Sequence, residues 1–220
     1  HKVRQTRIWQ PDKEQWTCVD FPVEIVSADE QGNSHEMGVR FGVLQKSGQA
    51  SFLVRNEKVA GLWHFAGGKW EADAQGMAGL EAAGPVATAD SGRDLGVRLH
   101  DLDRDGVCEL IVGNPRQQAV FQWLPEPRGW RKLPFALPPG AAIVDAQGRD
   151  TGFRLVDIDE DGHSDVVFSN AERYALHLFS SMAEGWSRQI LASQRSASNN
   201  VIPMIVRADG SNNGTWFKYA

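Results

Sequence analysis

The chain has 220 residues, 41% hydrophobic and 23% charged, the make-up of a folded globular chain with room for a sizeable core. Its 23 Lys and Arg against 28 Asp and Glu leave a net charge of −5, which argues against nucleic acid or an anionic membrane surface as main partner. No run approaches the roughly 18 apolar residues of a membrane span, so no membrane insertion is expected.

In chain order, residues 1–22 carry Trp9 and Trp16 and read as the third and fourth strands of a unit whose head is missing. The head then appears three times without a gap, as Gly38-VRFGVLQKSGQASFLVR-Asn56, Gly96-VRLHDLDRDGVCELIVG-Asn114 and Gly152-FRLVDIDEDGHSDVVFS-Asn170, at spacings of 58 and 56 residues. A Trp closes each unit (Trp70, Trp130, Trp186), with Trp63, Trp123 and Phe179 seven residues earlier. In the second unit the alternation of apolar and polar residues predicts strands over 97–100, 109–112, 119–124 and 130–133. The tail, Val201–Lys218, aligns as a fourth head if Asp209-Gly210 is laid on Asp105-Gly106.

Four short antiparallel strands at a fixed period predict an all-β chain, a β-propeller of four-stranded blades. The boundaries are one propeller domain over 1–220, with whole blades at 23–78, 79–137 and 138–194. Residues 1–22 would give the outer strands, and 195–220 the inner strands, of a composite blade that closes a four-bladed ring. The alternative is an arc of a larger propeller with an open edge at each end.

Two turns carry the chemistry. Asp101, Asp103, Asp105 and Glu109 form D-x-D-x-D-G-x-x-E, and Asp157, Asp159, Asp161 and Asp165 form D-x-D-x-D-G-x-x-D. Carboxylates at alternate positions, with a Gly allowing a sharp turn, wrap oxygen ligands around one hard cation. The backbone carbonyls of Val107 and His163 can add a ligand each. An EF-hand would need Glu at position twelve, where Val112 and Phe168 stand. Two Ca²⁺ sites are therefore expected. The first unit has Val43, Gln45, Ser47 and Ser51 at the acid positions, and the tail has Ile205, Arg207, Asp209 and Asn213, so neither should bind.

This unit, G-[VF]-R-[LF]-x-D-[LI]-D-x-D-G-x-x-[DE]-[LV]-[IV]-[VF]-x-N, resembles the FG-GAP/VCBS repeat of integrin-α-type β-propellers, over nearly the whole chain. The run Arg207-ADGSNNGTWF, with Gly-Arg-Asp ahead of two repeats, also resembles large secreted bacterial proteins that carry sugar-dehydrogenase-like and c-type haem domains, neither of which lies in this sequence. The resemblance implies a calcium-stabilised extracytoplasmic module, secreted, periplasmic or at the cell surface. It would bind a glycan or protein, or act as a scaffold, beside other domains of a larger chain. The chain opens on His1 rather than Met and is read as a processed or excised piece.

Arg40, Arg98 and Arg154 recur four residues after Glu36, Asp94 and Asp150. They read first as structural ion pairs and second as forks for an anionic ligand. The Trp pairs read as packing between blades, and Trp216, which breaks their register, as the better candidate for an exposed ligand contact. His35, His64 and His177 have no matched nucleophile. Cys18 and Cys108 fall in different units and read as unbridged thiols. No set of catalytic residues emerges, and a non-catalytic module is expected. The alternative is a catalytic propeller, a polysaccharide lyase or part of a dehydrogenase.

Overall fold

A computed structural model describes residues 4–215 and residue 217. Strands β1 (Gln5–Gln10) and β2 (Gln15–Asp20) pair as a hairpin, followed by a smaller one, β3 (Val26–Ala28) with β4 (Ser34–Glu36). The first four-stranded sheet is β5 (Arg40–Val43), β6 (Ala50–Arg55), β7 (Ala60–Ala66) and β8 (Lys69–Asp73). A two-residue pair, β9 (Ala89–Asp90) with β10 (Arg93–Asp94), leads to the second sheet. That sheet is β11 (Val97–His100), β12 (Glu109–Gly113), β13 (Gln118–Pro125) and β14 (Arg128–Lys132). The third is β15 (Phe153–Val156), β16 (Asp165–Ser169), β17 (Arg173–Leu178) and β18 (Arg188–Gln194). All three are antiparallel meanders in chain order, and the chain is all-β as the repeat predicts.

The second strands depart from strict alternation. Every residue of β12 and β16 is buried: the second sheet lies between the first and the third, and the outer face of β16, at Val167, is covered by Ile205 and Val206 of the tail. Leu53 and Leu62 of the first sheet pack with Leu110, Val112 and Phe121 of the second. The opposite face of the second sheet, Ile111 and Val120, packs with Val166 and Phe168 of the third. Each such side chain contributes about 1.5–3 kcal/mol by leaving water.

The recurrent Gly and Asn have local causes. Gly96 and Gly152 have φ of 68° and 87°, and a Cβ there would lie 2.5 and 2.2 Å from the carbonyl oxygens of Gly113 and Ser169. Asn114 donates to Leu95 O at 2.8 Å and accepts from the Arg116 and Gln117 amides at 2.9 Å, so it shapes the turn after β12 and ties it to the preceding connector. Asn56 makes the equivalent bonds in the first sheet.

The tail corrects the expected register. Ile205 and Val206 amides donate to Ser169 O as those of Ile143 and Val144 donate to Gly113 O. Val206 bridges Asn212 as Val144 bridges Asp150, and Gly210 has φ 82° where Gly148 has 79°. Asp209-Gly210 therefore matches Gln147-Gly148 in the connector ahead of a sheet, not Asp105-Gly106 in an acidic loop. The two inner strands expected over 195–220 are not formed among the described residues, where this stretch holds only isolated bridges. A polar D-G turn serves hairpin and loop alike, which is why the alignment slipped.

The aromatic register also shifts in one unit. Cross-strand pairs are Trp9–Trp16, Phe65–Trp70 and Trp123–Trp130, with ring centroids 5.4, 5.1 and 5.1 Å apart. Phe179 and Trp186 sit 5.7 Å apart in the third unit. Trp63 belongs elsewhere, stacked on Phe52 at 4.9 Å. Trp70 Nε1 donates to Thr6 Oγ1 at 2.7 Å, fastening the β1–β2 hairpin to the first sheet. Cys18 and Cys108 are free thiols.

Candidate metal centre

Both acidic turns connect the first and second strands of their sheets, and they fold alike. Arg104 and Glu160, at the fourth position, take left-handed φ of 58° and 59°. Asp101 Oδ2 accepts the Gly106 amide at 3.0 Å, and Asp157 Oδ2 accepts that of Gly162 at 3.1 Å. The ninth-position acid reaches back, Glu109 Oε2 to the Leu102 amide at 3.0 Å and Asp165 Oδ2 to the Ile158 amide at 2.9 Å. These bonds fold each loop inward and leave carboxylate oxygens facing one another.

Asp101, Asp103 and Glu109 each offer an oxygen within 4.8 Å of the others, and Asp157, Asp159 and Asp165 do the same. Oxygens around a single Ca²⁺ bound at 2.3–2.6 Å are spaced in this way. Among the described residues, the buried side-chain atoms without a hydrogen-bond partner are Asp101 Oδ1 and Asp157 Oδ1. An unpaired buried carboxylate oxygen is costly unless a cation meets it. Its recurrence at the same position of both loops fits a cation ligand. Asp105 and Asp161, expected as ligands, fall outside the two groups. They are exposed, and their Oδ1 atoms accept the amides of Val107 and His163 at 2.8 and 2.9 Å. His163 also stacks on Phe179, with centroids 5.6 Å apart.

Burial pushes Glu109 up to about 8, aided by Asp103, Asp105 and Asp101 and opposed by the Leu102 amide. Burial also raises Asp103 and Asp165. Asp161, held by the His163 amide, goes the other way. The inner carboxyls thus resist ionisation until positive charge arrives. The loops touch each other: Ser164 donates its amide to Leu102 O at 3.2 Å, His100 Nε2 lies 2.8 Å from Ser164 Oγ, and Arg104 Nη2 lies 2.7 Å from Asp157 Oδ2.

The first unit replaces this chemistry with a polar brace. Ser51 stands where Glu109 and Asp165 stand, and its Oγ is 2.7 Å from His64 Nδ1. His64 Nε2 is 3.2 Å from Asp73 Oδ2, which Arg128 Nη1 approaches at 3.4 Å. Sequence reasoning left His64 without a partner, and the signal for it is the cross-strand pairing of Ser51 with His64. Ser51 is fully buried, so no substrate reaches its hydroxyl, and burial lowers His64 despite the neighbouring Asp73.

The recurrent arginines are paired with acids. Arg40 Nη2 and Arg98 Nη2 converge on Asp94 at 2.7 and 2.6 Å, and Arg154 Nη2 meets Asp150 at 2.8 Å. Burial alone would raise Asp94, but the Arg98 and Arg40 guanidiniums hold it below the usual carboxylate range. A groove of about 420 Å³ runs between β11 and β15, lined by Asp94, Arg98, Leu99, Asp150, Arg154 and Leu155. Trp216 lies outside the described residues. No helix among the described residues is long and apolar enough to cross a membrane. No known family model and no curated protein matches the chain.

Proposed function

We propose that the chain is a calcium-stabilised, non-catalytic β-propeller module of the FG-GAP/VCBS kind, with Ca²⁺ in both acidic loops. The observation that carries this reading is the buried, unpaired Oδ1 of Asp101 and Asp157 beside two acids within 4.8 Å. In the first loop Asp101, Asp103 and Glu109 would hold the ion, and in the second Asp157, Asp159 and Asp165. The ion supplies charge that folds the loop and stabilises the strand pair it joins. Such loops suit an extracytoplasmic compartment, where calcium is abundant. The module would serve recognition of a glycan or a protein, or act as a scaffold, and the open groove between β11 and β15 is one concave face that it offers.

The propeller reading rests on the stacked sheets and on what their ends lack. Leu44 and Leu102 are 2% and 0% exposed beneath the next sheet, whereas Ile158 at the same register is 39% exposed. At the other end Trp9 and Trp16 are 45% and 61% exposed, while Trp123 and Trp130 are 6% and 5%. Those values fit a further blade after the third sheet and an inner half-blade beside β1–β2, giving a ring of at least four blades. The test is metal counting by equilibrium dialysis at about 2 mM free calcium, compared with the same chain dialysed against chelator. Two ions per chain, both removed by chelator, support the reading, and a count near zero or four refutes it.

A further inference from the structure

We infer that Arg104 of the first loop is a built-in counter-cation of the second loop and sets the affinity of that loop for calcium. The inference rests on the calcium reading above and adds a residue that is not itself a ligand. Asp157 is the carboxylate at issue. Its side chain is 4% exposed, its Oδ1 has no partner, and its Oδ2 receives both the Gly162 amide and Arg104 Nη2, the latter at 2.7 Å. The guanidinium also lies over the loop's glycine, since a Cβ on Gly162 would be 3.7 Å from Arg104 Nη1.

The geometry that delivers the side chain is part of the fold. Arg104 occupies a left-handed position, φ 58°, at the tip of its own loop. The two loops are locked side by side by the Ser164 amide on Leu102 O and by His100 against Ser164 Oγ. The arm is therefore held to its neighbour rather than waving free. Units differ at this register: Lys46 stands there in the first and Glu160 in the third. Among the described residues, the second loop alone receives a paired guanidinium from its neighbour, and the first loop faces a unit without acids at the ligand positions.

Two consequences oppose each other in sign. Without calcium the guanidinium compensates a buried carboxylate, which stabilises the metal-free loop. With calcium it sits a few ångströms from a divalent ion on the same carboxylate, and like charges repel. Its solvent exposure of 56% weakens that repulsion, so an effect of about tenfold on affinity is the expected scale.

The experiment is a calcium titration by calorimetry of the full chain, its Arg104→Met and Arg104→Lys variants, and each of these three in an Asp159→Asn background. Arg104→Met keeps the length of the stem without charge. It should tighten one site about tenfold and leave the other within about twofold, while lowering the melting temperature in chelator. Arg104→Lys should restore native binding. In the Asp159→Asn background, which removes the second site, Arg104→Met should leave the remaining isotherm unchanged. Tightening in calcium together with loss in chelator cannot come from general damage. Two native ions with no change in Arg104→Met, or with weaker binding, overturn the role of Arg104 alone. Failure of the native chain to bind two ions overturns the calcium reading and this inference with it.

Discussion

Replacing Glu109 by Gln should stabilise the protein in chelator and destabilise it in calcium, with a pH dependence that identifies the carboxyl responsible. Glu109 is 2% exposed, and burial with help from Asp103, Asp105 and Asp101 pushes it from 4.5 to about 8. The folded protein therefore holds this proton more tightly than the unfolded chain does. Its contribution is intact below about 4.5, is lost progressively as pH rises, and reaches its full cost above about 8. At about pH 7 the cost is on the order of 3 kcal/mol, a sizeable part of a typical stability of roughly 5–15 kcal/mol. Gln cannot ionise, and its side-chain oxygen can still accept the Leu102 amide, so Glu109→Gln removes the cost and keeps the bond. Calcium reverses the sign, because the ion needs the carboxylate that Gln lacks. Urea unfolding at about pH 5 and about pH 8, with chelator or with about 2 mM calcium, reads all four states. In chelator the variant should match the native protein near pH 5 and exceed it by a few kcal/mol near pH 8. Parallel pH profiles for the two proteins in chelator would show that Glu109 is not the strained group, and the electrostatic account of the first loop would fall.

Asp159→Asn should reduce bound calcium from two ions to one. It should cost about 2 kcal/mol at about 2 mM calcium if the site binds at about 10⁻⁴ M, and far less in chelator, as thermal melts will show. Gln45→Asp should create no third site in a metal count, since Val43, Ser47 and Ser51 still lack carboxylates. Leu102→Ala should cost about 2–5 kcal/mol in calcium and chelator alike, because this fully buried side chain belongs to the core between the second and third sheets rather than to the ion.

The strands and acidic loops were legible in the sequence because each is a local pattern repeated. The strands expected over 97–100 and 109–112 lie at 97–100 and 109–113, and the Gly-x-Arg and terminal Asn marked their sheets because close approach and turn capping need those residues. What the sequence did not resolve depends on register or on neighbours. Asp209-Gly210 was placed in an acidic loop because a D-G turn has the same local chemistry in a connector hairpin. Trp63 was paired with Trp70 by spacing, although cross-strand geometry pairs Phe65 with Trp70. Asp105 and Asp161 each also bond their own loop backbone through Oδ1, a contact that spacing alone does not reveal. The Ser51–His64–Asp73 contacts join three strands and have no motif.

Repetition also indicates where individuality resides. Features present in every unit, such as the aromatic pairs and the glycines at the heads, are fixed by close approach and cross-strand packing within each sheet, and a ligand-specific surface has no need to recur. The first sheet fills the ninth position of its loop with a hydroxyl and a buried histidine, while the other two keep carboxylates that burial forces toward protonation. Both solutions satisfy the same end of the second strand, but only the acidic one creates a demand for external charge. On the calcium reading proposed above, stability in two of the three sheets is tied to a cation. The one unit that meets the demand internally lies against the β1–β2 hairpin, at the end of the stack where Trp70 reaches Thr6. If that division is correct, calcium removal should loosen the second and third sheets before the first. Amide exchange measured in chelator should then rise in β12 and β16 while β6 keeps its protection. Uniform loss across all three strands would mean that the stack unfolds as one unit and that the loops do not hold their own sheets.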